Sequence, residues 1–65
     1  MVVINGENAE NASGLTLAQH IENAGYNAER IVVEKNLEII CRADYDKTVI
    51  SDGDSIEILN FVGGG

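Results

Sequence analysis

The sequence is poor in basic residues. Its 65 residues include four Lys or Arg side chains against eleven Asp or Glu, for a net charge of -7. This charge repels phosphate backbones, and so few bases form no basic stripe that could release counterions from nucleic acid. We therefore expect neither nucleic acid nor an anionic membrane as a ligand.

Cysteine and long apolar runs are also scarce. Cys41 is the single cysteine, so no intramolecular disulfide can form and packing must hold the chain together, as suits a reducing cytoplasm. The first residues lack a basic segment followed by a long apolar run, and the longest apolar stretches are far shorter than a membrane span. We expect a cytoplasmic protein without a targeting segment.

Aromatic residues make up 5% of the chain, whereas 45% of its residues are hydrophobic. A chain of this length forms one small domain without a deep substrate cleft. Because Val, Ile and Leu dominate its apolar residues, we expect a core built from aliphatic strands and one helix.

Turn signals begin early in the sequence. The pair Asn5-Gly6 follows a short apolar run and tolerates the positive φ angles of a tight hairpin turn. The polar stretch from Glu7 to Ala12 then predicts a weak edge strand.

One helix is predicted from Leu17 to Ala24. Thr16 and Gln19 have the spacing of a capping box, and Gly25 can supply a left-handed C-terminal stop. The polar residues of this segment are expected to face water. The predicted buried stripe consists of Leu17, Ile21 and Ala24.

Three further segments have the composition of strands. They run from Arg30 to Glu34, from Ile39 to Cys41 after a turn at Lys35-Asn36, and from Ser55 to Phe61 after the turn Asp52-Gly53. This order of elements predicts an α+β fold, in which one helix packs across one face of a mixed sheet of about four to five strands.

One helix can cover only one face of a sheet, so the opposite face should be partly open. In the last strand Ile56 and Ile58 point one way by alternation. The residues predicted to lie on the open face are therefore Leu59, Phe61 and, by the same parity argument, Val3 and Val32.

Conventional catalytic and metal-binding signatures are missing. His20 has no second His or Cys at ligand spacing, so we interpret it as a solvent-facing or rim residue. Cys41 is interpreted as a small strand residue rather than a nucleophile or persulfide relay, since only the adjacent Arg42 is basic. Two acidic pairs lack the glycine and the distant Glu of a calcium loop and are interpreted as turn residues: Asp44/Asp46 and Asp52/Asp54.

The remaining feature is the run Gly63-Gly64-Gly65. A frayed end is the default interpretation of such a run. These glycines, however, follow the apolar pair Phe61-Val62, can span about 10 Å, and are thin enough for a narrow channel. We interpret them as a flexible tether for the Gly65 carboxylate. An ATP-using partner would activate this carboxylate by adenylation, and sulfur could then be delivered to the acyl carbon.

Taken together, five segments resemble the ThiS sulfur carriers of thiamin (thiazole) biosynthesis. These segments are Asn5-Gly6-Glu7, Ile31–Asn36, Ile39–Arg42, Asp52–Ile58 and Val62–Gly65. Their order and spacing, rather than any one of them, carry the resemblance, which covers the whole chain. It implies a ubiquitin-like β-grasp domain in residues 1–62 and a flexible C-terminal tail in residues 63–65.

The resemblance also implies a carrier that serves enzymes without being one. Gly65 would be adenylated by a ThiF-type enzyme with ATP, converted to a thiocarboxylate with sulfur from a persulfide protein, and used by the thiazole synthase ThiG. Phe61 and Val62 fall where the family docks on its partners, and Leu59 joins them through the alternation argument. We expect no bound cofactor and a monomer when the carrier is free.

Two positions and two alternatives qualify this interpretation. Cys41 stands where family members often have Pro, and Tyr45 where they often have an aromatic residue, for which packing is the expected role. One alternative is a related carrier for molybdopterin synthesis or tRNA thiolation, or a ubiquitin-like modifier. The other is a regulatory β-grasp binding module, in which the glycines would be incidental.

Overall fold

The computed structural model describes residues 1–61, which form a five-stranded mixed sheet and one α-helix. The helix α1 spans Leu17–Ala24. Strands β1 to β5 span Val3–Ile4, Glu7–Asn8, Ile31–Lys35, Glu38–Ile40 and Ser55–Asn60. The strand order is β2-β1-β5-β3-β4, in which β1 and β5 are parallel and the other neighbours antiparallel. This arrangement confirms the predicted α+β β-grasp architecture.

The first hairpin forms as predicted, but the strand that follows its turn is short. Asn5 and Gly6 have φ angles of 52° and 80°, in the left-handed region that a type I′ turn requires. The strand predicted to reach Ala12 ends at Asn8, and a 3-10 turn, Glu10–Ala12, replaces its second half. The side chain of Asn8 accepts a hydrogen bond from the Glu10 amide at 3.1 Å. Such local hydrogen bonds compete with strand pairing.

The helix has the predicted limits because both of its ends are capped by its own sequence. The Gln19 amide donates to Thr16 Oγ1 at 3.1 Å, and the Thr16 amide donates to Gln19 Oε1 at 2.9 Å, which completes the capping box. At the other end Gly25 has a φ of 84°. The boundaries are therefore set by residues that are adjacent in sequence.

The buried stripe of the helix is shorter than predicted. Leu17 and Ile21 are buried, but Ala24 is exposed, and its assignment to the stripe was wrong. The Tyr26 amide donates to the Ile21 carbonyl at 3.1 Å, as in a Schellman cap, and turns the chain back after Gly25. Tyr26 rather than Ala24 therefore packs against the core at this end.

The core lies between α1 and one face of the sheet. Tyr45 is buried in it, which confirms the packing role expected for this residue. The buried hydrophobic residues are Val2, Ile4, Ala12, Leu17, Ile21, Ile31, Val33, Tyr45, Ile50, Ile56 and Ile58.

In the β3–β4 hairpin, β3 and the turn lie one residue later in the chain than predicted, and β4 lies one residue earlier. Strand β3 begins at Ile31 because Arg30 belongs to a 3-10 turn, Ala28–Arg30. The turn residues are Asn36 and Leu37, not Lys35 and Asn36, and both have positive φ angles. Leu37 has a φ of 71° and is 93% exposed, so the hairpin tip combines backbone strain with an exposed apolar side chain.

Asp54 links this hairpin to the segment before β5 through hydrogen bonds and an ion pair. Its carboxylate accepts hydrogen bonds from the Ser51 amide at 2.8 Å and from Asn36 Nδ2 at 3.0 Å, and it lies 3.7 Å from Lys35 Nζ. Asn36 Oδ1 in turn accepts a hydrogen bond from the Ser55 amide at 2.9 Å. Burial acts to raise the pKa of Asp54, but these donors and Lys35 together outweigh it and hold the pKa below its ordinary value.

Replacing Asp54 is expected to cost more stability at neutral pH than in acid. A carboxyl whose pKa is depressed by folding stabilises the fold above its unfolded-state pKa, which is 3.8 for Asp, and loses that contribution as the pH falls through the folded value. Asp54→Asn should lower the free energy of unfolding by about 1–3 kcal/mol at pH 7. Urea denaturation at pH 7 and pH 3 measures the difference. The exposed Asp46→Asn is the control, and an equal loss at both pH values for Asp54→Asn would contradict the prediction.

Candidate functional site

The two faces of β5 differ in the way that its sequence predicts. Ile56 and Ile58 are buried under the helix layer, with 0% and 4% of their surface exposed. Leu59 is 54% exposed and Phe61 is 48% exposed, so large apolar side chains remain accessible. This confirms the predicted orientation of the two pairs of residues, whereas partner binding by Leu59 and Phe61 stays a prediction.

The neighbours of Leu59 follow from the strand register. Val32 on β3 is its direct partner. Val3 on β1 is paired with Ser55, which lies on the same face of β5 as Leu59, so both valines share this face. Both are half-buried. We call this surface the open face. Its members used in the argument below are Val3, Val32, Glu34, Ile39, Glu57, Leu59 and Phe61.

The open face also carries two acidic residues that sequence reasoning missed. Glu34 on β3 lies directly opposite Glu57 on β5, and Ile39 on β4 lies on the other side of Glu34. Nothing in either segment alone indicates this pairing, because it depends on the register between distant strands. An explicit alignment of β3 with β5 would have been needed to find it.

Phe61 is the last described residue of the open face. Phe61 follows the end of β5, and its amide donates to the Arg30 carbonyl at 2.9 Å. The predicted partner-binding residue Val62, the predicted domain boundary after it and the predicted tail Gly63 to Gly65 lie outside the described residues. The modification predicted at Gly65 therefore stays a prediction.

The two conventional candidates, His20 and Cys41, are not brought together with any partner group. His20 lies half-buried on α1, and this partial burial lowers its pKa. Cys41 is free and exposed. It was wrongly placed in a strand, since β4 ends at Ile40 and the Asp44 amide donates to the Cys41 carbonyl at 2.8 Å to close a 3-10 turn. Within residues 1–61 no group of three or more His, Cys, Asp or Glu could hold a metal ion.

A shallow groove of about 590 Å³ lies on the helix layer, between α1 and the segment 42–46. Alanine, isoleucine and tyrosine side chains make up most of its lining. Its three charged lining residues are exposed to water, and across residues 1–61 no buried side-chain polar atom lacks a hydrogen-bond partner, so no buried unpaired group marks this groove as a ligand site. The open face is thus the stronger candidate for a functional surface.

The one α-helix of the described part of the chain is far too short to cross a bilayer. It has eight residues, and no other helix in this part is long and apolar enough for a membrane span.

Comparison with solved structures shows the same fold in a similar protein. The crystal structure of the thiamine biosynthesis protein ThiS from Geobacter metallireducens superposes with a TM-score of 0.77 at 33% sequence identity. The match covers 98% of this chain and 97% of that one.

The matches to curated proteins cover either nearly all of this chain or about two thirds of it. The sulfur carrier protein ThiS of Bacillus subtilis is 46% identical over 44 residues, which cover 65% of this chain and 67% of that protein. A thiazole synthase from Paramagnetospirillum magneticum is 36% identical over 64 residues, or 98% of this chain. The chain spans only about a fifth of the length of that synthase and of a second one, from Magnetococcus marinus.

A family model covers almost the entire sequence. The model described as the ThiS family matches residues 2–65, which include every strand, the helix and the glycine run. Sequence, fold and element order therefore agree, and the chain belongs to the ThiS family.

Proposed function

We propose that this chain is a sulfur carrier in thiamin (thiazole) biosynthesis and a co-substrate of its partner enzymes rather than an enzyme. The observation that carries the proposal is the ThiS family match over residues 2–65. It is supported by the similarity to the Bacillus sulfur carrier and by the fold shared with the Geobacter protein.

The proposed chemistry takes place at the carboxylate of Gly65. A carboxylate is a poor electrophile, so a ThiF-type enzyme first joins it to the α-phosphate of ATP, and pyrophosphate leaves. The terminal sulfur of a persulfide donor protein then displaces AMP from the acyl carbon. A thiol cleaves the resulting acyl disulfide, and the carrier is left with a thiocarboxylate. ATP enters with the activating enzyme, and the carrier binds no cofactor of its own.

The proposed recipient of the sulfur is the thiazole synthase ThiG. Its involvement is supported by two thiazole synthases that contain a segment similar to this chain. A segment similar to this chain within a thiazole synthase supports a role for this chain in the same pathway.

The open face is the proposed docking surface for both enzymes. Leu59 and Phe61 expose about half of their surface, and Leu59 lies next to the half-buried Val32. Apolar residues of this kind anchor protein interfaces. We assign Val62 to the same surface because it continues the chain from Phe61. The net charge of -7 opposes self-association, so the free carrier is proposed to be a monomer that meets basic partner surfaces. Its proposed location is the cytoplasm.

Intact-mass spectrometry tests the proposal. The chain is incubated with ATP, a ThiF-type enzyme and a persulfide donor, and one C-terminal oxygen should be replaced by sulfur. The modified protein should then support thiazole formation by ThiG. Unmodified protein, under conditions that load the Bacillus carrier, would refute the proposal, and loading without use by ThiG would favour a carrier of another pathway.

A further inference from the structure

Two like charges face each other at the centre of the open face. Glu34 and Glu57 are direct cross-strand partners in the antiparallel pair β3–β5. Side chains in such positions have Cβ atoms about 5 Å apart, and like charges there destabilise a sheet. The fold therefore carries a repulsion that substituting either residue by a neutral one would remove.

No basic side chain of the described chain relieves this repulsion. Lys35 follows Glu34 in sequence, but it is paired with Ile56 on the opposite face and lies 3.7 Å from Asp54. None of the ion pairs within residues 1–61 includes Glu34 or Glu57. The Arg30 carbonyl accepts the Phe61 amide at the end of this face, and no ion pair within residues 1–61 includes the Arg30 side chain.

Apolar side chains border the acidic pair toward the end of β5 and toward β4. The next pair on this face is Val32 with Leu59, and Ile39 lies beside Glu34 on the outer strand. Glu34 is half-buried, whereas Ile39 and Leu59 are 69% and 54% exposed. A partner that covered these apolar groups would exclude water from both carboxylates. Uncompensated, their charges would then oppose docking.

We propose that the open face is completed by an arginine of the thiazole synthase, whose guanidinium group lies between Glu34 and Glu57 while apolar residues around it pack on Leu59 and Val32. The inference rests on the proposed function, which supplies the partner. The guanidinium group is planar and has five donors in a fork, so it can bond two carboxylates at once, whereas an ammonium group acts as a point charge. Charge complementarity selects this occupant, because the pair is unmatched within an already acidic chain.

This arrangement predicts opposite effects on stability and on binding. If the pair had only a structural role, neutralising it would destabilise the free protein. If the pair were only solvated, neutralising it would change neither the stability nor the binding. If the pair repels itself in the free protein and binds the partner, neutralising it should stabilise the free protein and weaken the complex. The opposite signs separate the proposal from both other interpretations.

The test compares two neutralised double variants with equal changes in net charge. Glu34→Gln/Glu57→Gln alters the open face, and Glu22→Gln/Asp46→Asn alters exposed residues on the helix layer. The first variant should raise the melting temperature by roughly 1–8 °C. It should also raise the Kd for purified thiazole synthase by about tenfold or more and reduce the salt dependence of binding. The control should change the Kd by less than about threefold.

A surface scan of the synthase completes the test. One arginine-to-alanine variant of the synthase should bind the wild-type carrier more weakly than the unaltered synthase does. The same substitution should have little effect on binding to the Gln double variant, as expected for coupled residues in a double-mutant cycle. Equal Kd changes in the two carrier variants, a lower melting temperature for the Gln variant, or no coupled arginine would each overturn the inference. A wild-type carrier that takes up no sulfur would instead refute the proposed function, so the two failures are distinguishable.

Discussion

Deletion of Gly65 is expected to abolish sulfur loading while docking and folding are preserved. The deletion moves the terminal carboxylate back by about 3.5 Å, and a misplacement of about 1 Å already costs on the order of a hundredfold in rate for a positioned reaction. The described core ends before the tail, so the free energy of unfolding should stay within about 0.5 kcal/mol of the parent. Intact-mass analysis of loading and direct titration of the activating enzyme measure the two properties separately.

Two further tail variants belong to the same prediction. An added residue after Gly65 displaces the carboxylate in the other direction, and Gly64→Val restricts the backbone and thickens the tether. Both should lose loading nearly as completely as the deletion. Normal loading of the shortened or extended chain would show that the glycines are ordinary terminal residues. The regulatory binding module would then be the better interpretation.

Local signals explain which parts of the fold could be predicted. The hairpin at Asn5-Gly6 depends on φ angles available to those two residues, and the helix limits depend on Thr16, Gln19 and Gly25. Each of these signals lies within a few residues of the structure that it determines. The alternation in β5 is equally local, and it led to the correct assignment of Leu59 and Phe61 to the exposed face.

The wrong predictions depended on local hydrogen bonds, and the missed feature depended on a contact between distant segments. Ala24 has helical spacing from Ile21, but the chain turns back and Tyr26 packs against the core instead. The stretch after Asn8 is polar like an edge strand, yet the Asn8 side chain closes a turn. The acidic pair on the open face required the β3–β5 register, which sequence patterns do not provide.

Strand β5 contributes adjacent residues to the core and to the proposed docking surface. Its buried side chains hold the sheet to α1, and its exposed side chains belong to the open face, from which the chain continues toward the tail. The strand is central, with β1 on one side and β3 on the other, and the proposed docking residue Leu59 lies within its pairing with β3. Rigid placement reduces the conformational entropy lost on binding.

Ile58 and Leu59 should therefore give opposite results when each is replaced by alanine. Ile58 is 4% exposed and belongs to the core, so Ile58→Ala should lower the free energy of unfolding by about 2–5 kcal/mol. Leu59→Ala should change it by less than about 1 kcal/mol, because the side chain is largely in water. For partner binding the ranking of the two positions is reversed. Leu59→Ala or Phe61→Ala should weaken binding by about 1–3 kcal/mol.

Urea denaturation and titration with ThiF-type enzyme and ThiG measure both properties for each variant. A small domain has a free energy of unfolding of only about 3–10 kcal/mol, so Ile58→Ala could leave too little folded protein to titrate. Ile58→Val, with an expected loss of about 0.5–1.5 kcal/mol, keeps the comparison possible and should bind both enzymes like the parent. If Leu59→Ala and Phe61→Ala unfold the domain while their folded fraction binds normally, these side chains support the fold and the docking surface lies elsewhere. If they alter neither property, the open face has no part in recognition, and the partners must reach the tail from another side of the carrier.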